Sequence, residues 1–261
     1  MIEKIDDFIV ERIVYAQDAL VKNGDKILSD KREEVVLIYG NQESQTVEEI
    51  LKAAHEAKNL RVIVVDSAPD YLGRSMVKRL AAHGIKCQYT LISMVNFLIQ
   101  QVTKVFLAST YVLCNGAVVA PMGSSMIACL AHKNHIPVVA VCETYKFADR
   151  VNLDQINNNE QGSQRKFTEN YLLKNCKNRN HLDEILQSRP KKNQPEIEIL
   201  NLKYDLTPQK YLSMIVCEIG NIPPHSVPVV IREIMRDYED DHREHVYSDS
   251  DCSSGSNDDQ E

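Results

Sequence analysis

An α/β fold, with a doubly wound and mainly parallel sheet carrying helices on both faces, is predicted from two features of the chain. Continuous apolar, β-branched runs recur at residues 35–39, 62–65, 105–108 and 137–141. Strands buried on both faces have that composition, whereas half-exposed strands alternate. Between the runs lie stretches with apolar residues at helical spacing. Strand–helix–strand units of this length wind a parallel sheet and cover both of its faces.

The elements follow in order. Ile5, Phe8, Ile9, Ile13, Ala16 and Leu20 sit at helical spacing, with Asn23-Gly24 as the expected stop. Val35-Val36-Leu37-Ile38-Tyr39 is the first strand. Thr46 and Glu49 form a capping box that opens a helix reaching about Asn59. A second strand, 62–65, ends at Asp66, and a helix from Arg74 to His83 is closed by Gly84. A strand at 85–92, a helix at 94–102 and the strand at 105–108 lead to a turn at Asn115-Gly116. A small-residue helix over 123–132 precedes the strand at 137–141.

Residues 152–194 are rich in Asn, Ser, Gln and Lys and read as an exposed insertion with one short helix near 182–186. Order resumes at 197–202. Asp205-Leu206-Thr207-Pro208 is expected to open a helix reaching Ile219-Gly220, and Pro228 to open a last one. The division is a connecting helix over 1–24, an α/β domain over 25–236 and a disordered tail over 237–261.

Of 261 residues, 30 are Lys or Arg and 37 are Asp or Glu, a net charge of −7. Residues 237–261 hold ten acids against Arg243, a net of −9, so residues 1–236 carry +2. A nearly neutral body argues against a basic nucleic-acid face. No apolar run reaches the roughly 18 residues of a membrane span. The start MIEKIDDF lacks the order of a signal peptide, and the seven Cys show no paired spacing. These features predict a cytoplasmic protein without disulfides.

Sheets of this class bind ligands at the carboxyl ends of their strands, which places Asp66, Asn115, Gly116 and Glu143 at the functional edge. The nine glycines form no GxGxxG or GxxxxGK[ST] fingerprint, so no nucleotide cofactor is expected. Met122-Gly123-Ser124-Ser125 is the strongest anion candidate, with backbone amides and two hydroxyls at a helix start. The competing reading is that Gly123 allows close packing and a serine caps the helix. Glu143 and Lys146 form either an acid/base pair or a salt bridge that organises their loop, with Tyr145 and Phe147 anchoring it or meeting a partner. Cys114 and Cys142 stand at strand ends but read more readily as small buried hydrophobes than as nucleophiles. Cys129, His132 and His135 lack a second ligand pair, so no metal site is expected.

Together these residues resemble one family. The run Val105-Phe106-Leu107-Ala108, Cys114-Asn115-Gly116-Ala117-Val118-Val119, Met122-Gly123-Ser124, and then Ile136 to Val139 and Cys142 to Val151, is similar to the regulatory subunits of eukaryotic translation initiation factor 2B. Tyr204-Asp205-Leu206-Thr207-Pro208, Glu218-Ile219-Gly220-Asn221-Ile222-Pro223 and Ser226 to Arg232 resemble the delta branch, as does Glu143-Thr144-Tyr145-Lys146-Phe147. The resemblance spans about residues 4–232 apart from the insertion. It implies a Rossmann-like sheet and a helical N-terminal domain of which residues 1–24 are the remnant.

The same superfamily holds methylthioribose-1-phosphate and ribose-1,5-bisphosphate isomerases. Those enzymes use a Cys after the first strand, an Asp before Asn-Gly and an Arg-Pro segment after the second strand. The matching positions here read Tyr39-Gly40-Asn41, Thr110 and Ala68-Pro69. Losing an acid, a base and an anion clamp argues against isomerisation. The resemblance therefore implies a non-catalytic subunit of the guanine-nucleotide exchange factor for translation initiation factor 2. Its implied partners are the beta, alpha and gamma–epsilon subunits and initiation factor 2 itself, with no nucleic acid or membrane. A sugar-phosphate aldose–ketose isomerase is the alternative. The apolar, Pro-punctuated stretch holding Ile219, Ile222, Val227, Val229 and Val230, with Tyr145 and Phe147, is the candidate subunit interface, or else packs on its own sheet.

Overall fold

The computed structural model describes residues 9–28, 33–40, 45–151, 159–163 and 200–236. Residues Ile9–Tyr15 form a widely wound helical stretch that runs into helix α1 (Ala16–Asp25). Strand β1 (Glu34–Tyr39), helix α2 (Gln45–His55), strand β2 (Leu60–Asp66), helix α3 (Gly73–Ala82) and strand β3 (Lys86–Leu91) follow. After a short helix α4 (Val95–Leu98) come β4 (Lys104–Ala108), β5 (Tyr111–Leu113), β6 (Val118–Pro121), helix α5 (Ser124–Lys133), β7 (Val138–Val141) and β8 (Phe147–Ala148). Then come β9 (Tyr204–Thr207), β10 (Met214–Cys217), β11 (Gly220–Ile222) and a helix α6 over 227–236.

Seven strands form one sheet in the order β11-β10-β7-β4-β1-β2-β3, parallel throughout except for the β10–β11 hairpin. Successive side chains of a strand point to opposite faces, and the two faces here are equally apolar. Val36, Ile38, Val62, Val64, Phe106 and Val139 pack with Leu20, Ile50, Leu51, Met76 and Leu80 on one face. Leu37, Tyr39, Ile63, Val65, Leu107 and Ala140 pack with Ile127, Ala131, Val227 and Ile231 on the other. This is the α/β sheet that the apolar runs predict, with helices on both faces. Among the described residues no helix is long and apolar enough to cross a membrane.

A second sheet, in the order β8-β5-β6-β9, is a finding the sequence does not announce. Its strands have two to four residues, too short to stand out from their flanks. Asn115-Gly116 is the turn between β5 and β6.

Several expectations are corrected. The helix expected from Asp205 to Ile219 is absent: residues 204–207 and 214–217 are strands, held by pairing with β6 and β7. Tertiary hydrogen bonding outweighs a local capping signal and a favourable apolar spacing there. Residues 94–102 form no continuous helix, only α4 between two short 3₁₀ turns. Thr46 does not cap: α2 begins one residue earlier, and the Thr46 hydroxyl is turned to Glu143. Helix α1 ends at Asp25, one residue past the expected Asn23-Gly24 stop, and Gly24 lies where Ile50 crosses; a Cβ there would lie 2.6 Å from Ile50 Cδ1. The short helix near 182–186, the body of the insertion and the tail fall outside the described residues.

Candidate functional site

The carboxyl ends of β1 and β2 open into a cleft of about 940 Å³, the place where a doubly wound sheet binds ligands. Tyr39, Asp66, Ser67, Gly123, Lys203 and Tyr204 are among the residues lining it. Tyr39 ends β1 and donates its hydroxyl to the Met122 carbonyl at 2.6 Å, while the Ser67 hydroxyl donates to Tyr39. Burial raises the Tyr39 phenol, with Asp66 and Asp205 adding to the rise and the Ser67 bond opposing it. Asp66 ends β2 fully buried and accepts from the Ser67 N–H at 2.9 Å and the Tyr89 hydroxyl at 2.8 Å. Its carboxylate is engaged by the protein, although one edge of the residue borders the cleft.

The helix start named as the anion candidate already holds an anion. Asp205 Oδ2 accepts the N–H of Gly123 at 3.2 Å and that of Ser125 at 3.0 Å. Gly123 has φ +104°, and a Cβ there would lie 2.7 Å from Ile92 Cδ1 and 3.1 Å from the Tyr39 hydroxyl. Glycine is thus required on two grounds, backbone sign and close approach. Ser124 is buried and donates its hydroxyl to the Pro121 carbonyl at 2.7 Å, so it does not face the cleft. Burial raises the Asp205 carboxyl, and the amides of Ser125, Gly123 and Leu206 pull against that rise. A helix N-terminus suits a carboxylate as well as a phosphate, and β9 supplies the carboxylate from within.

Glu143 and Lys146 meet as an ion pair at 2.7 Å, at the carboxyl end of β7. Thr46 donates its hydroxyl to Glu143 at 2.8 Å. Burial works to raise the Glu143 carboxyl, but the hydrogen bond and charge of Lys146, with the Thr46 bond, outweigh it and hold the carboxyl low. Burial likewise works to lower the Lys146 ammonium, and Glu143 holds it high. The next residue is braced too: the Thr144 N–H lies 3.1 and 3.0 Å from the two Glu218 oxygens, and its hydroxyl also donates to Glu218. Asn23 of α1 donates to the Cys217 and Glu218 carbonyls at 3.0 and 3.1 Å. The pair organises a loop in this structure, and neither residue is among those lining the cleft.

The remaining candidates separate. Asn115 accepts the Ala117 N–H at 3.0 Å with its side chain, and Gly116 (φ +74°) lies against the Pro224 carbonyl. They build a hairpin turn and are not among the residues lining the cleft. Burial pushes the Cys142 thiol well up, and burial takes Cys217 to about 11, so neither is a ready nucleophile. The His132 ring packs against Tyr211 at 5.6 Å between centroids. Of the interface candidates, Val227 and Val230 are buried, and Phe147 and Ile222 pack partly on the core. Tyr145, Ile219 and Val229 are exposed.

The residue that sequence reasoning missed is Asp205, expected as a helix cap and found as the internal anion. Tyr39, Gly40 and Ala68, the positions compared with the isomerases, do border the cleft, whereas Thr110 begins the β5–β6 hairpin and is not among the cleft residues.

The sequence profile of the Initiation factor 2 subunit family matches residues 1–224. The chain is 36% identical, over 91% of its length, to the translation initiation factor eIF2B subunit delta of Schizosaccharomyces pombe, and covers 49% of that protein. It is 29% identical, over 70% of its length, to the ribose 1,5-bisphosphate isomerase of Archaeoglobus fulgidus, and covers 53% of it. The chain thus spans about half the length of these relatives. Its fold matches that of a chain in the tetrameric eIF2B-beta2-delta2 complex of C. thermophilum with a TM-score of 0.66, at 24% identity, over 83% of this chain and 60% of that one.

Proposed function

The chain belongs to the Initiation factor 2 subunit family, and from that premise we propose that it is a non-catalytic regulatory subunit of the guanine-nucleotide exchange factor for translation initiation factor 2. In this reading it associates with a beta-type subunit, joins the alpha-containing core that carries the gamma–epsilon arms, and contacts initiation factor 2 in the cytoplasm. The similarity to a delta subunit over 91% of the chain supports the assignment. The observation that carries its non-catalytic part is the internal use of the strand-end polar groups. Asp205 fills the helix start, Lys146 neutralises Glu143, and Asp66 accepts from Ser67 and Tyr89. An aldose–ketose isomerisation needs an acid and a base free to exchange protons with substrate, and each of these carboxylates is engaged by its own fold.

The kinship with ribose 1,5-bisphosphate isomerases and the 940 Å³ cleft favour the alternative, a sugar-phosphate isomerase. Incubating the purified chain with ribose 1,5-bisphosphate and with methylthioribose 1-phosphate separates the two. No turnover above a heat-inactivated control is expected. Turnover abolished by Glu143→Gln would overturn the non-catalytic reading.

A further inference from the structure

We infer that Arg61, Lys86 and Gln101, at the amino ends of β2 and β3, form an oxyanion site whose occupant is this chain's own acidic segment, residues 237–261. Arg61 and Lys86 are partners in the parallel register of β2 and β3. Their α-carbons therefore lie about 5 Å apart, and their side chains leave the sheet on one face. It is the face of Ile63, two residues beyond Arg61. Like charges directly across from one another destabilise a sheet, and an anion between them removes that cost. The guanidinium is only partly used by the fold. Its Nη2 donates to the uncharged Gln101 Oε1 at 3.3 Å, a long bond. Its Nε is buried and has no hydrogen-bond partner, and a buried donor left unmade is costly. Carboxylates and phosphates satisfy Arg through paired N–H bonds.

Among the described residues no acid meets this need. Between Lys86 and Lys133 the sequence has no Asp or Glu. Glu34 alternates to the opposite face, where Lys104 holds it at 2.6 Å. Glu33, two positions before the Val35 that pairs with Arg61, forms no ion pair with either cation. Other cations are already matched: Lys52, Arg79, Lys146 and Lys203 each have a carboxylate partner. The chain itself carries the missing anion, since residues 237–261 hold −9 against +2 for the rest. That segment follows directly on Arg236, and its 25 residues reach at most about 85 Å. A domain of this size has a radius of gyration of about 18 Å, so all of its surface is within reach. Tethering holds the carboxylates at an effective concentration on the order of millimolar, the range in which a pair of exposed cations is filled. The cleft, at the opposite ends of the strands, presents Asp66 and Asp70 and repels the same segment.

The test is cross-linking of the full chain with a water-soluble carbodiimide, which joins an amine to a carboxylate where the two touch, read by peptide mass spectrometry on the monomer. Lys86 is expected to link to residues 237–261 at least about fivefold more than Lys78, an exposed lysine of α3. Salt at about 0.5 M is expected to remove most of that excess. Arg61→Gln, checked for unchanged circular dichroism, is expected to do the same at low salt. The comparison of Lys86 with Lys78 and the salt response are both read on wild type, so they stand whether or not the variant folds. A Lys86 yield no higher than that of Lys78 overturns the site. Links found only between two copies of the chain overturn the intramolecular occupant. Loss of the Lys86 links in about 1 mM inorganic phosphate, but not in chloride of equal ionic strength, makes a free phosphate the better ligand and overturns the choice of occupant.

Discussion

Asp205 Oδ2 lies 3.0 Å from the backbone nitrogen of Ser125, so that strand β9 holds the start of helix α5 from a position 80 residues further along the chain. The same oxygen accepts from Gly123, and the Tyr39 hydroxyl reaches the Met122 carbonyl immediately before it. Two distant parts of the sequence thereby fix one helix end at the mouth of the cleft.

Removing the carboxylate tests that role. Asp205→Ala leaves two amides without their acceptor and is expected to cost about 1–2 kcal/mol in urea unfolding. The freed helix start then resembles an open anion site, so inorganic phosphate is expected to raise the melting temperature of the variant more than that of wild type. An equal response in both would show that Asp205 does not occupy the site in solution.

Acid titration separates two carboxylates of opposite sign. The Glu143 carboxyl is held below its ordinary 4.5, so its contribution is present above that pH and is lost as pH falls through the lower folded value. The Asp205 carboxyl is raised above 3.8, so the folded state takes up its proton first and gains stability as pH falls through that window. Glu143→Gln is therefore expected to lose stability less steeply than wild type in acid, and Asp205→Asn more steeply. Unfolding midpoints at a series of pH values below 6 check both slopes.

At the alkaline end the ion pair acts through its other member. Lys146 is raised above 10.5 by Glu143, so its contribution is complete below that pH and disappears as pH rises through the folded value. Lys146→Met leaves Glu143 buried without its cation and is expected to destabilise the protein at pH 7 by about 1–3 kcal/mol. Double-mutant analysis with Glu143→Gln is expected to recover most of that loss.

Gly116→Ala is expected to be among the costlier turn substitutions, at about 2 kcal/mol or more. The backbone there has φ +74°, and a Cβ would come within 2.1 Å of the Pro224 carbonyl oxygen. Moving that backbone disturbs the 3₁₀ turn Pro224–Ser226 that leads into α6. A shift in urea midpoint near zero would show that the hairpin tip and this turn are not in contact in solution.

The central strands of the large sheet, β1, β2, β4 and β7, were legible because both of their faces are buried: Val36 and Leu37 alike are fully covered, so no alternation obscures the apolar run. The small sheet was illegible because strands such as Tyr111–Leu113 exist through pairing with segments far away in sequence. Asp205-Leu206-Thr207-Pro208 has the local form of a helix start, yet Val119 pairs with Leu206 and Val118 with Thr207. The site was read in the same uneven way. Asp66, Gly123 and Glu143 were found from their places at strand and helix ends, which the apolar pattern marks. What occupies each of them, Tyr89, Asp205 and Lys146 in turn, was visible only for Lys146, three residues from its partner.

The central claim, that this chain acts as a subunit of the exchange factor and not as an enzyme by itself, is tested most directly by affinity purification from its own cells at native abundance. Mass spectrometry would then measure the stoichiometry of what comes with it. Equimolar recovery of beta, alpha, gamma and epsilon subunits, with initiation factor 2 in lesser amount, is the expected result. Recovery of the chain alone or as copies of itself, together with turnover of ribose 1,5-bisphosphate by the same preparation, would contradict it.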